Sequence, residues 1–182
     1  MTISVNQPRA GDARNRKEWK GKLPRHLLRM ADRHPLFGDV ILTKGPIVMD
    51  SLDHHTRELA ALAAAAGSES HYVWSGHVYV ALGLEALSYD EIVRAAMGPT
   101  YFRGRDAAVL WVVAHTLARR PVDAATRHEL GDSVVKRIVR AVMFYDAVAY
   151  FMRGAAPEPD LVPVAGIETP ARARGTYADQ VS

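Results

Sequence analysis

At 182 residues, 48% hydrophobic and 24% charged, the chain has the size and balance of one globular domain with tails, large enough to build a core without staples. It contains no cysteine, which excludes disulfides, thiol catalysis, iron–sulfur clusters and cysteine-type zinc sites. The formal charge of +3 is uneven: residues 1–22 hold six Lys/Arg against two acids, a net of +4, and the remainder carries −1, so the basic balance belongs to a tail and not to a folded face that would grip nucleic acid.

Residues 1–20 are polar and read as a disordered or extended N-terminal tail, with no apolar stretch resembling a secretory signal. No apolar run reaches the roughly 18 residues of a membrane span, and the longest, Ala107 to Leu117, carries His115. A cytoplasmic location without membrane contact is the expectation. Leu23 to His34 has apolar residues at helical spacing, with Pro24 suited to a first turn and Pro35 ending the element. Leu36 to Leu42 is a short apolar segment compatible with a helix, broken at Gly45-Pro46. Asp50 to Asp53 supplies N-cap residues for His54 to Ala66, an Ala/Leu-rich helix stopped by Gly67.

Ser68 or Ser70 can cap the next helix, which closes at Gly83. Ser88 caps a short helix from Tyr89 to Met97, ended by Gly98-Pro99. Three further helices follow, Asp106 to Arg119, Asp123 to Leu130, and Ser133 to Met152. Residues 156–182 are Pro-rich and read as an extended tail over the surface or a neighbouring subunit. No strand-type alternation competes, and no long internal repeat is present. The fold class is therefore all-α, with about seven or eight helices in a domain over residues 21–155.

Residues able to do chemistry gather around one predicted helical hairpin. A tight Gly67-Ser68 turn folds two helices antiparallel and can bring Glu58 near the second. On that helix Ser70, Val73, Trp74 and His77 follow i, i+3, i+4, i+7 spacing and share a face, while Tyr72 falls off it. A carboxylate, a phenol and an imidazole in one partly apolar pocket can move protons near neutral pH. Plainer roles compete: His77 as a core histidine, Glu58 as a solvated residue, Tyr72 and Trp74 as core or interface aromatics, and Ser70 as a cap. Arg57 is either a solvated neighbour of Glu58 or a rim residue for a substrate carboxylate. Tyr145 and Tyr150 either pack or line the pocket. Met143, Met152, Trp111 and His115 read as core. His54 and Glu58 stand at metal-ligand spacing, but adjacent His54 and His55 cannot share a helix face and no HExxH is present, so they read as surface histidines.

The order Glu58, Ser70-His71-Tyr72-Val73, His77 resembles the alkyl hydroperoxidase D and carboxymuconolactone decarboxylase superfamily, where a Glu precedes a Cys-x-Tyr-Cys-x-x-x-His motif. The family's Glu, Tyr and His fall on Glu58, Tyr72 and His77, and its cysteines on Ser70 and Val73, without a gap. Ala81-Leu82-Gly83-Leu84, Glu91-Ile92, Phe144-Tyr145-Asp146 and Ala149-Tyr150-Phe151 add to the likeness, which covers residues 23–155. His71 departs from it, since the cysteine-free branch often has Glu there.

The resemblance implies an alkyl hydroperoxidase D-like helical bundle that assembles as a homotrimer or homohexamer, a use to which the apolar helix from Val134 to Met152 is suited. It does not imply the peroxidase activity, which needs two thiols. What it implies instead is a cofactor-free, metal-free, decarboxylase-type lyase acting on a small anionic lactone or enolisable acid. His77 would be the general acid/base, Glu58 its orienting partner and Tyr72 a donor to the oxyanion, with Ser70, Trp74, Arg57 and Tyr145 binding substrate. The alternatives are a tailoring isomerase, dehydratase or cyclase on a larger metabolite, a non-catalytic oligomer that binds a ligand, and a metal-dependent hydrolase.

Overall fold

The structure, a computed structural model, describes residues 25–155 together with Ile167, Tyr177 and Val181. Apart from those three positions, the tails expected at residues 1–20 and 156–182 lie outside the described residues. All regular structure among the described residues is helical, eight α-helices and one 3₁₀ turn, as the all-α reading requires. The chain divides into two compact units, residues 1–50 and 51–182.

The first unit contains α1 (Arg25–Arg33) and α2 (Pro35–Met49), which pack on each other. Pro35 takes the first position of α2, where its fixed φ suits the helix and its missing N–H costs nothing. The expected break at Gly45-Pro46 does not occur, and α2 continues through it for another turn. Pro46 lacks the N–H that would bond back one turn, but its carbonyl still accepts from Asp50 N at 3.0 Å. Gly38 marks a close approach: a Cβ there would stand 2.5 Å from the Ala31 carbonyl oxygen of α1.

The second unit runs α3 (His54–Gly67), α4 (His71–Gly83), α5 (Tyr89–Met97), the 3₁₀ turn Pro99–Tyr101, α6 (Gly104–Leu117), α7 (Ala124–Leu130) and α8 (Asp132–Ala155). Local chemistry sets most of the starts. Asp53 accepts from Thr56 N at 2.9 Å, Asp123 from Thr126 N at 2.8 Å and Ser70 from Val73 N at 3.3 Å. Ser88 and Glu91 complete a reciprocal capping box on α5. Gly67 and Gly83 are the last residues of α3 and α4, yet the left-handed steps that turn the chain fall two residues later, at Glu69 (φ +53°) and Glu85 (φ +51°).

α3 is the axis of this unit. Every residue from Thr56 to Ala66 is buried, and α4, α5, α6 and α8 all pack against it. Its alanines give it a narrow cross-section, so neighbours approach on every side, and a helix apolar all round belongs inside. α8 presents Ile138, Val142, Tyr145, Ala149 and Met152 to the core at three- and four-residue spacing. Met143, expected in the core, lies off that stripe and is exposed.

Candidate active site

An apolar axial helix that carries Arg57-Glu58 in its second turn must compensate two buried charges. Glu58 has no exposed surface and Arg57 almost none, so Arg57 is buried and not a solvated neighbour. The compensation is mutual and reaches into α4. Arg57 Nε donates to Glu58 Oε1 at 2.7 Å, and His77 Nδ1 donates to Glu58 Oε2 at 2.6 Å. The α3–α4 turn, closed by Ser70 N bonding to Ala65 O at 2.9 Å, brings together two residues nineteen apart in sequence.

Burial alone raises the Glu58 pKa. The hydrogen bond and charge of His77, and then those of Arg57, outweigh it and hold the carboxyl below its ordinary value, so Glu58 is ionised near neutrality. An ionised carboxylate only accepts, which places the ring proton of a neutral His77 on Nδ1 and its lone pair on Nε2.

α8 supplies the third wall. The Tyr145 ring meets the His77 ring edge-on, with centroids 4.7 Å apart at 80°. Tyr145 is buried, and burial together with the Glu58 charge pushes its phenol far above the ordinary range, against a smaller opposing effect of Arg57. Its hydroxyl therefore stays protonated and can donate but not act as a base.

Arg57, Glu58, His77 and Tyr145 are thus brought together. The other predicted residues sit nearby in the chain with different duties. Ser70 is buried and spends its hydroxyl on the α4 cap. Trp74 is buried, and its indole N–H has no hydrogen-bond partner among the described residues. Tyr72 is half-buried in the first turn of α4. Tyr150 is 75% exposed, with the Arg153 guanidinium 6.0 Å from its ring centroid. His54 is exposed and gains nothing from Glu58, whose two oxygens are already occupied.

Among the hollows lined by described residues of this unit are these two. One of about 520 Å³ lies between α6 and α7, beside Trp111, His115 and Asp123. Another of about 230 Å³ lies beside Ser68, Arg119 and Asp146. Neither includes Glu58 or His77.

One group escaped the sequence reading. His55 Nε2 lies 3.0 Å from Asp106 Oδ1, and its Nδ1 lies 3.0 Å from the Ala86 carbonyl oxygen. Separations of 51 and 31 residues leave no local pattern to detect. No protein-family model, curated protein or solved structure matches the chain.

Proposed function

We propose that this protein is a cofactor-free acid/base catalyst of the decarboxylase type, a lyase acting on a small anionic lactone or enolisable acid. This reading extends the resemblance to the cysteine-free carboxymuconolactone decarboxylases. The observation that carries it is the 2.6 Å hydrogen bond from His77 Nδ1 to the fully buried, ionised Glu58. A carboxylate in that position fixes the imidazole tautomer and stabilises the imidazolium formed when the other nitrogen takes a proton.

With Nδ1 committed, Nε2 is the proton-transferring atom. In decarboxylation the C–C bond to the carboxylate breaks and its electron pair moves into a conjugated carbonyl. His77 enters this reaction as the imidazolium, its Nε2 having taken a proton from water; Nε2–H then protonates the resulting enolate at carbon, and the ring returns to its neutral form with Nδ1–H still bonded to Glu58. In an isomerisation the same nitrogen first removes a carbon-bound proton and returns it elsewhere. Arg57 keeps Glu58 ionised. A neutral phenol, Tyr72 or Tyr145, supplies a donor for the developing oxyanion.

The test is exchange chemistry. The purified chain is incubated in D₂O with a carboxylated muconolactone and a panel of small enolisable acids, and proton NMR follows loss of the carboxyl group and deuterium at carbon. The expected result is catalysis on at least one of them, cut by about 10²–10⁴-fold in His77→Ala. Undiminished turnover in His77→Ala, or no rate above buffer on any acid, overturns the reading. A non-catalytic ligand-binding oligomer has one observation in its favour, that neither hollow reaches His77. The same exchange experiment separates the two.

A further inference from the structure

Away from the Glu58–His77 pair, three first turns converge. His55 stands at the start of α3, Glu91 at the start of α5 and Asp106 at the start of α6. One donor atom from each lies within 4.8 Å of the other two, and all three side chains are partly exposed, which leaves a path from solvent.

The His55 ring makes this more than a gathering of polar groups. Both of its nitrogens point at oxygens, the Ala86 carbonyl at 3.0 Å and Asp106 Oδ1 at 3.0 Å. A carbonyl and an ionised carboxylate only accept, and a neutral imidazole has a single N–H. The backbone carbonyl has no alternative state, so it claims that N–H at Nδ1. The Nε2 lone pair is then left facing a carboxylate, an arrangement that calls for a positive charge between them. A histidine that donates Nδ1–H to a main-chain carbonyl and offers Nε2 is also how metal-binding imidazoles are held.

Two things can fill the gap, a second proton or a metal ion. Glu91 favours the ion. A His–Asp pair is satisfied by a proton alone, whereas Glu91 brings a second carboxylate to the same point, a charge that the neighbouring Arg94 shares in balancing. Glu91 Oε2 is occupied by the Ser88 amide at 2.7 Å and the Ser88 hydroxyl at 2.6 Å, which fixes the carboxylate in place. A neutral imidazole and two carboxylates together match one divalent cation. Ligands about 2.0–2.2 Å from a tetrahedral ion sit about 3.3–3.6 Å apart, so the 3.0 Å between His55 Nε2 and Asp106 Oδ1 needs to open only slightly to admit one.

We propose that His55, Glu91 and Asp106 form a binding site for a divalent transition-metal ion of the zinc class, with water completing the coordination. The imidazole donor favours such ions over magnesium and calcium, and the carboxylates stand where other zinc sites use thiolates. The site shares no residue with the proposed proton-transfer machinery, so either can fail alone.

The full-length protein is stripped with a chelator and titrated with ZnCl₂ by calorimetry, and with CoCl₂ by visible absorption. One ion per chain is expected, with a cobalt spectrum of mixed nitrogen and oxygen ligands. His55→Ala and Asp106→Asn should each weaken zinc binding at least about tenfold, as loss of even an outer-shell partner does. Zinc should raise the melting temperature of the wild type but not of Asp106→Asn, a variant of nearly unchanged shape that serves if His55→Ala does not fold. Absence of saturable binding by either metal overturns the proposal. So does binding that Asp106→Asn leaves at wild-type strength, since the ion would then sit on other histidines.

Discussion

Glu58 is a full charge on the most buried helix of the second unit, and such a group persists only while each of its oxygens has a cationic or hydrogen-bonding partner. Glu58→Gln removes the buried negative charge that both Arg57 and His77 bond, and breaking a buried pair in this way costs about 3–5 kcal/mol. His77→Ala should cost less, because the bond from Arg57 to Glu58 remains. Denaturant unfolding of the two variants checks that order. The pH dependence has a definite sign. The ordinary Glu58 value is 4.5, and burial, outweighed by His77 and Arg57, leaves the folded value below it. The stabilisation is therefore fully present above about pH 4.5 and is lost as pH falls through the folded value. Unfolding free energy measured from pH 6 down to pH 3 should drop more steeply in wild type than in Glu58→Gln. Equal slopes would mean that the carboxyl is not held ionised by its neighbours. The pairing of Glu58 with His77 was legible in the sequence because a short turn between two helices fixes which residues meet. The ring of Tyr145 against His77 was not, since that contact depends on how α8 packs across α3.

At the scale of elements, most starts and stops were legible. Ser88 with Glu91, and Asp123 with Thr126, act within one turn, so their spacing in the sequence is their spacing in the fold. The helices stop at Gly67 and Gly83 as expected, but the left-handed steps that turn the chain fall two residues further on. Glu85 takes φ +51° just beyond α4, where Ala86 N bonds to Ala81 O at 2.9 Å and Glu85 N to Leu82 O at 3.1 Å. A side chain in the left-handed region costs about 1–2 kcal/mol, which glycine relieves at some expense in unfolded-state entropy. Glu85 is exposed, so little packing is lost. Glu85→Gly is expected to stabilise the protein by up to about 1 kcal/mol, a rise of roughly 2–4 °C in Tm by calorimetry. A lower Tm would show that the entropy term exceeds the strain. Pro46 is the converse case. A proline inside an apolar run reads as a break, yet α2 absorbs it near its C-terminal end, where only a few residues follow.

At the scale of the second unit, the all-helical class followed from periodicity. The meeting of His55 with Asp106 did not, because only the packing of α3 against α6 makes them neighbours. The same packing bears on assembly. α8 turns one stripe inward, and on its far side Arg140, Met143, Ala147 and Tyr150 are exposed at three- and four-residue intervals. Met143 is 54% and Tyr150 75% exposed, a large apolar outlay for a helix face in water. In the homotrimer or homohexamer that the family resemblance implies, this face would receive a neighbour's helix. Sedimentation velocity at micromolar concentration should then give a single oligomer for wild type. Met143→Glu with Tyr150→Glu should give monomer with unchanged helical circular dichroism, because neither side chain belongs to the inward stripe. A wild type that sediments as a monomer overturns the expected assembly, and an oligomer indifferent to both substitutions moves the interface to another face.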